Sequence, residues 1–297
     1  MGGYNSRRLL AGEGGIISGV SQSQGQGPSG YIYDASTEQE RVRLGLLSRA
    51  NDPATIEHLE GVGVAAGWRC LEVGGGGGSI ARWLCERVGP SGGVVATDLD
   101  TRFLDEIDAP NLEVRRHDIL KDELESESFD LVHSRFLLEH LAEYRTALDR
   151  MIAAVKPGGW LVAEDVDFAG AILADADQRA GVPPESVATF VELSEKLLGM
   201  ATGGGIQPEL GRQLPVLLHE AGLVDVGAEG RTRFFWSQTE QSEVGRLSIE
   251  RVTQFAVSGG FITEDDRERY LRLFTDPGIG SYTPFVYGAW GRKPQAS

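Results

Sequence analysis

Residues 71–79 read LEVGGGGGS, five consecutive glycines set between a strand-like apolar run, WRCLEV, and an amphipathic helical run, SIARWLCERVG. Glycine takes positive φ at no steric cost and lets a ligand approach the backbone. The N–H groups that open a helix point outward. A flexible linker has no reason to stand between a buried strand and an amphipathic helix, so the run reads as the seat of a ligand. A Walker phosphate loop ends in Gly-Lys-Ser/Thr, and GGGGGSIARW has no lysine. The dinucleotide pattern GxGxxG falls on Gly74, Gly76 and Ser79 and lacks its last glycine. The pattern GxGxG falls on Gly74, Gly76 and Gly78. A glycine run satisfies many registers, so its neighbours must decide between them.

Those neighbours alternate between strand and helix. Strand patterns lie at 68–73, 92–98, 111–118, 128–134, 158–166, 223–236 and 283–292. Helical patterns lie at 37–50, with Thr37 and Glu40 spaced as a capping box, and at 53–63, opened by Pro53 and ended by Gly61 and Gly63. Further helices are predicted at 79–89, 101–107, 143–156, 183–200, 208–222 with Pro215 as a kink, about 239–257 and 263–275. Such alternation predicts an α/β fold, a doubly wound, mostly parallel sheet with helices on both faces. The expected divisions are a flexible leader or lid at 1–35, amino-terminal helices at 36–66, a ligand-binding core at 67–168, and the rest of the sheet with a helical cap at 169–297. Residues 11–30 are too rich in Gly, Ser and Gln to order themselves, and Tyr4, Tyr31 and Tyr33 bracket them.

Composition narrows the function. The formal net charge is −16, which repels phosphate backbones, and the basic pairs Arg7–Arg8 and Arg115–Arg116 are too short to make a nucleic-acid face. Cys70 and Cys85 form neither a CxxC nor a Cys/His spacing, so no metal site is expected. No run is long and apolar enough to span a bilayer. MGGYNS fits the N-myristoylation pattern at Gly2, with nothing else to support a lipid anchor. The expectation is a cytoplasmic chain without membrane or nucleic-acid partners. The oligomeric state is open, and a homodimer is admissible.

Acidic residues recur at the strand ends: Glu72 before the glycines, Asp98 in TDLD, Asp118 in HDI, and Asp130 within FDLVHSRFLLEHL. KPGGWLVAED leads through a fifth strand. With these motifs in order over residues 68–168, the chain resembles the core of class I S-adenosylmethionine-dependent methyltransferases. The departure is Gly75 and Gly77, where bulkier residues are usual, which should loosen the loop. The resemblance implies a seven-stranded Rossmann-like methyltransferase fold, with S-adenosylmethionine as cofactor and S-adenosylhomocysteine as product. It implies cofactor contacts from Gly74, Gly76, Gly78, Asp98 (ribose), Leu99, Asp118 and backbone Ile119 (adenine), and Glu72 (ammonium). It adds Tyr33, Ser134, and either Arg43 or Arg135 for the cofactor carboxylate.

Methyl transfer is an in-line displacement, and a base is needed only where the acceptor must lose a proton. Candidates near strands four and five are Asp165, His133 and His140, with Glu139 and Glu164 beside them. Strand alternation sends Glu164 and Asp165 to opposite faces, and Asp165 is preferred. His219 reads as surface. Tyr4, Phe136, Phe168 and Trp236 are the aromatics expected at the acceptor. LHEAGLVDVGAEGR and PFVYGAWGRKP extend the resemblance to tailoring methyltransferases of bacterial secondary metabolism, including antibiotic biosynthesis. The implied acceptor is a small phenol- or indole-like molecule, methylated on O or C. The rival readings are a cyclase that retains the cofactor, a non-catalytic cofactor-binding module, and a nicotinamide dehydrogenase.

Overall fold

The computed structural model describes residues 38–168 and 183–295. The proposed lid, Tyr4, Tyr33 and the Thr37 cap lie outside the described residues. The chain opens with helix α1, Glu38–Gly61. Then come β1 (Arg69–Val73), α2 (Ser79–Val88), β2 (Gly93–Asp98), β3 (Leu112–Arg116) and β4 (Phe129–Arg135). Next are α3 (Tyr144–Ala154), β5 (Val155–Asp167), α4 (Pro184–Gly203) and α5 (Leu210–Glu220). The chain ends with β6 (Val224–Arg231), β7 (Phe234–Trp236), α6 (Glu240–Ser258), α7 (Glu264–Arg272), β8 (Gly280–Tyr282) and β9 (Phe285–Arg292).

Seven strands form one sheet in the order β3-β2-β1-β4-β5-β9-β6. β1 to β5 pair in parallel, and β9 runs antiparallel between β5 and β6. The central strands are buried on both faces, as their near-continuous apolar runs require. Leu71, Val132, Leu161 and Ala163 pack with Met151 of α3 and Leu214 of α5. Cys70, Leu131 and Val162 pack on the opposite face with Leu59 of α1 and Leu84 of α2. Alternation along each strand therefore sends Glu72, His133 and Glu164 to the α1 face and Asp165 to the α5 face. Above the sheet, α4, α6 and α7 share a core of Leu193, Leu197, Ala256, Tyr270 and Leu273. No helix among the described residues is long and apolar enough to cross a membrane.

Three local expectations are corrected. Pro53 does not open a second helix, because α1 runs through it. Side chains on both sides of the proline are buried, Arg43 and Leu46 before it and Thr55, His58 and Leu59 after it, and this anchorage overrides the break. Residues 102–106 form turns, not a helix. Only the Asp105 N–H to Thr101 carbonyl bond (2.8 Å) has helical spacing there, and one turn does not repay the cost of nucleation. Leu104 and Ile107 are instead buried against Ala81 and Ala96. The run 223–236 is two strands. β7 leaves the main sheet after Thr232, whose hydroxyl donates to the Thr283 carbonyl (2.6 Å), and pairs with β8 as a separate ribbon.

The glycine loop has a definite shape. Gly74, Gly76 and Gly78 have φ of 72°, 50° and 75°. Gly75 and Gly77 are not in that region, so the GxGxG register is the conformational register of the loop. A Cβ on Gly75 would lie 3.0 Å from Leu104, and one on Gly77 would lie 3.4 Å from Leu44 of α1. Gly78→Ala combines positive φ with a Cβ 2.5 Å from Ile107 and should destabilise the fold by about 1–3 kcal/mol. Gly77→Ala has neither problem and should stay within about 1 kcal/mol of the parent. Urea unfolding of the two variants checks this contrast.

Candidate active site

The loop's hydrogen bonding says what kind of ligand it suits. Gly74 and Gly75 donate to the Thr97 carbonyl (2.8 and 2.9 Å), and Gly78 donates to the Gly75 carbonyl (2.8 Å). Gly76 donates to Asp98 Oδ2 (2.9 Å). The N–H groups of these four glycines are spent inside the protein, so the loop is a poor cradle for phosphate, which needs free donors. It offers carbonyl oxygens and a carboxylate. Asp98 also accepts from the Asp100 N–H (3.1 Å) and retains acceptor capacity on both oxygens. Burial pushes its carboxyl up, against those backbone donors.

The neighbouring rim residues are placed by β2 and β3. Leu99 is exposed just past Asp98. Asp118 pairs with Lys121 (2.7 Å), which holds its carboxyl below the ordinary range, and accepts from the Leu120 N–H (3.0 Å). Ile119 is buried beside it.

On the α1 face lies a row of buried charge. His133 Nδ1 stands 2.6 Å from Glu72 Oε2, and its Nε2 is 3.6 Å from Glu164 Oε2, an ion-pair distance beyond hydrogen-bond reach. Glu164 Oε1 is 2.6 Å from His58 Nδ1, and its Oε2 accepts from the Thr55 hydroxyl (2.5 Å). Burial alone would lower the His133 pKa, but the carboxylates of Glu72 and Glu164 raise it to about 9. His58 is likewise raised against its burial, chiefly by Glu164. Burial would raise Glu164, but the nearby His133 and its hydrogen bond with His58 hold it well below the ordinary range. His133 is 0% exposed, so it is corrected from the catalytic candidates: the ring is clamped between carboxylates, out of an acceptor's reach.

The α5 face holds a different pair. Asp165 Oδ1 accepts from the Glu139 N–H (3.3 Å), and Glu139 Oε2 accepts from the Val166 N–H (2.6 Å). Each carboxyl thus ties the turn after β4 to β5. Both are fully buried, and Asp165 Oδ2 has no partner among the described residues. Burial pushes Asp165 up to about 8 and, helped by Asp165, raises Glu139 well above its ordinary value. Burial thus favours the protonated form of Asp165, the carboxyl expected as the base. His140 Nε2 stands 3.4 Å from Glu139 Oε1. Burial, with the nearby Arg43 charge, lowers His140 to about 4, so its imidazole is neutral.

The expected carboxylate clamps are already paired. Arg43 makes a bidentate bond to Glu40 (2.9 and 2.6 Å), and Arg135 donates to Thr55 and Asp52 (2.7 and 2.8 Å). Phe136 adopts φ 55° as the chain turns off β4, and its N–H donates to the Glu164 carbonyl (2.7 Å). Phe168 is half-buried just past β5. Ser134 is buried, its hydroxyl without a partner among the described residues. Trp236 stands exposed on the β7–β8 ribbon, edge-on to Phe234. Between α1 and α6 lies a polar cavity of about 280 Å³ walled by Gln39, Glu40, Arg43, Glu250 and Arg251. Sequence reasoning missed His58 and Thr55. Their signal was spacing, since they stand one and four residues before Leu59 and Leu59 is in the core. Among the described residues, no cluster of His, Cys, Asp and Glu could hold a metal ion.

Comparison with known proteins fits this geometry. Residues 71–161, from β1 through β5, match the model of a methyltransferase domain. Two methyltransferases of Strobilurus tenacellus, str3 and str2, are 56% identical over 41 residues and 40% identical over 63. The matched segments cover 14% and 21% of this chain, and 15% and 23% of the relatives' length. Among solved structures, a candidate methyltransferase from Bacillus halodurans has a TM-score of 0.51 at 18% identity, covering 82% of this chain and all of that one. The YcgJ protein of Bacillus subtilis has a TM-score of 0.50 at 14% identity, covering 80% and 97%. At those identities the likeness is one of fold. Over residues 71–161 the chain is thus similar to a methyltransferase domain, and its seven-stranded sheet has a Rossmann-like fold.

The buried groups fix a pH dependence. His133, His58, Asp165 and Glu139 all bind protons more tightly folded than unfolded. Their contribution is full below the unfolded values, about 4 for the carboxyls and about 6.5 for the histidines, and is lost as pH rises through the folded ones. Glu164 has the opposite sign, and its contribution disappears in acid. Stability should therefore fall steadily from about pH 5.5 to about pH 9, and Asp165→Asn, a neutral isostere, should flatten the slope below about pH 8. Urea midpoints across that range test this.

Proposed function

We propose that this chain is an S-adenosylmethionine-dependent methyltransferase acting on a small aromatic or heteroaromatic natural-product acceptor, at oxygen or carbon. The observation that carries the reading is the loop in which four glycine N–H groups are spent inside the protein, one of them on Asp98, while the Glu72 side chain lies against it. That donor set suits a ribose, an ammonium and a sulfonium better than a phosphate. The cofactor supplies a methyl group activated on sulfur and departs as S-adenosylhomocysteine.

The chain's own residues hold, orient and enclose. Asp98 accepts the ribose hydroxyls on its remaining lone pairs, and Asp118 receives the adenine amine. Glu72 meets the ammonium. Phe136 and Phe168 flank the acceptor at the rim beyond β4 and β5. Where the acceptor must lose a proton, His140 takes it on its neutral imidazole, with Glu139 behind the ring. The polar walls of the cavity between α1 and α6 favour an acceptor that carries hydroxyl or similar groups.

Calorimetric titration tests the cofactor: Asp98→Ala should bind S-adenosylmethionine about 1–3 kcal/mol more weakly than the parent, and equal affinity refutes the assignment. His140→Phe should lower turnover at unchanged cofactor affinity. Because His140 is held to about 4, the rate of the parent should persist to about pH 5.5, where an ordinary histidine base would be mostly protonated. Release of S-adenosylhomocysteine, followed against pH by chromatography, reads both effects.

A further inference from the structure

Two carboxylates flank His133, and the one nearer the glycine loop has its other oxygen uncommitted. Glu72 spends Oε2 on His133 Nδ1 (2.6 Å), while Oε1 accepts no hydrogen bond among the described residues. The Glu72 side chain lies against the loop, with its Cγ 3.5 Å from where a Gly75 Cβ would stand. Behind His133, Glu164 is fixed from α1 by Thr55 (2.5 Å) and His58 (2.6 Å). His58 continues to Glu229 on β6 (3.2 Å). The groups facing His133 are thus Glu72 from β1 and Glu164 from β5, and Glu164 in turn is held by Thr55 and His58 from α1.

We propose that His133 is a positioning residue for cofactor recognition: clamped between Glu72 and Glu164, it aims the free oxygen of Glu72 at the ammonium of the cofactor's amino-acid tail. The inference rests on the methyltransferase reading above. It gives a buried histidine that cannot touch an acceptor a role in binding. It also makes Glu164, Thr55 and His58 parts of the cofactor site that meet no ligand. A fully buried imidazole, hydrogen-bonded to Glu72 through Nδ1 and facing Glu164 3.6 Å from Nε2, has little freedom to rotate, so the Glu72 carboxylate is pre-oriented and loses less entropy on binding.

The test compares two ligands that share the adenosine portion. S-adenosylhomocysteine carries the amino-acid tail, and 5′-methylthioadenosine lacks it. His133→Asn should weaken S-adenosylhomocysteine about tenfold while leaving 5′-methylthioadenosine within about twofold of the parent. Glu164→Gln should act in the same direction. A merely structural role would move both ligands together or neither, and either result overturns the proposal. A parent protein that binds neither ligand would instead sink the methyltransferase reading. If the variants fail to fold, nitrogen NMR of the parent decides. The His133 ring should be doubly protonated at about pH 7.5 and shift with S-adenosylhomocysteine but not with 5′-methylthioadenosine, whereas a neutral ring or an equal response overturns it.

Discussion

The carboxylate of Glu164 is the buried centre of the contacts that tie the amino-terminal helix to the sheet. It sits on the central strand β5, buried, and meets His58 and Thr55 of α1 on one side and His133 of β4 on the other. Removing such a group from water costs several kcal/mol, and only close partners on every side offset it. The arrangement is therefore all or nothing: losing one partner leaves a buried charge unmatched. Because α1 also lays Leu44 on the glycine loop and Arg43 beside His140, the docking of this helix sets both the cofactor rim and the acceptor side.

The two faces of the sheet divide the chemistry. The α1 face carries alternating charge, Glu72, His133, Glu164, His58, and aims one carboxylate at the loop. The α5 face carries two buried carboxyls, Asp165 and Glu139, whose pKa values burial raises and which pin the turn after β4 to β5. That turn presents His140, kept neutral by burial. Two histidines seven residues apart thus take opposite states, one raised by flanking carboxylates and one lowered by burial and a nearby guanidinium. The division follows from the two-residue period of a strand, which separates Glu164 from Asp165 by the thickness of the sheet.

Much of the fold was legible because it rests on local pattern. The strand runs, the helices after them and the GxGxG register of Gly74, Gly76 and Gly78 all appear where periodicity and glycine chemistry place them. The misreadings came where tertiary contacts outweigh local preference. Pro53 signals a helix start, yet buried side chains on both sides of it carry α1 through. The 101–107 run has helical spacing, yet Leu104 and Ile107 are used to floor the glycine loop. Arg43 and Arg135 looked like open cations because their partners Glu40, Asp52 and Thr55 are indistinguishable, in sequence, from surface residues.

The sequence by itself determined which side chains stand at the strand ends, since the run of strands, glycines and acids is written in one dimension. Only the tertiary structure decided which of those side chains are free to meet a ligand and which are spent on each other. Asp165 and His133 have the right chemistry for catalysis but are buried with their partners, and burial depends on what lies across the sheet. Protonation follows the same rule: it is set by desolvation and by charges distant in sequence, which no local pattern encodes.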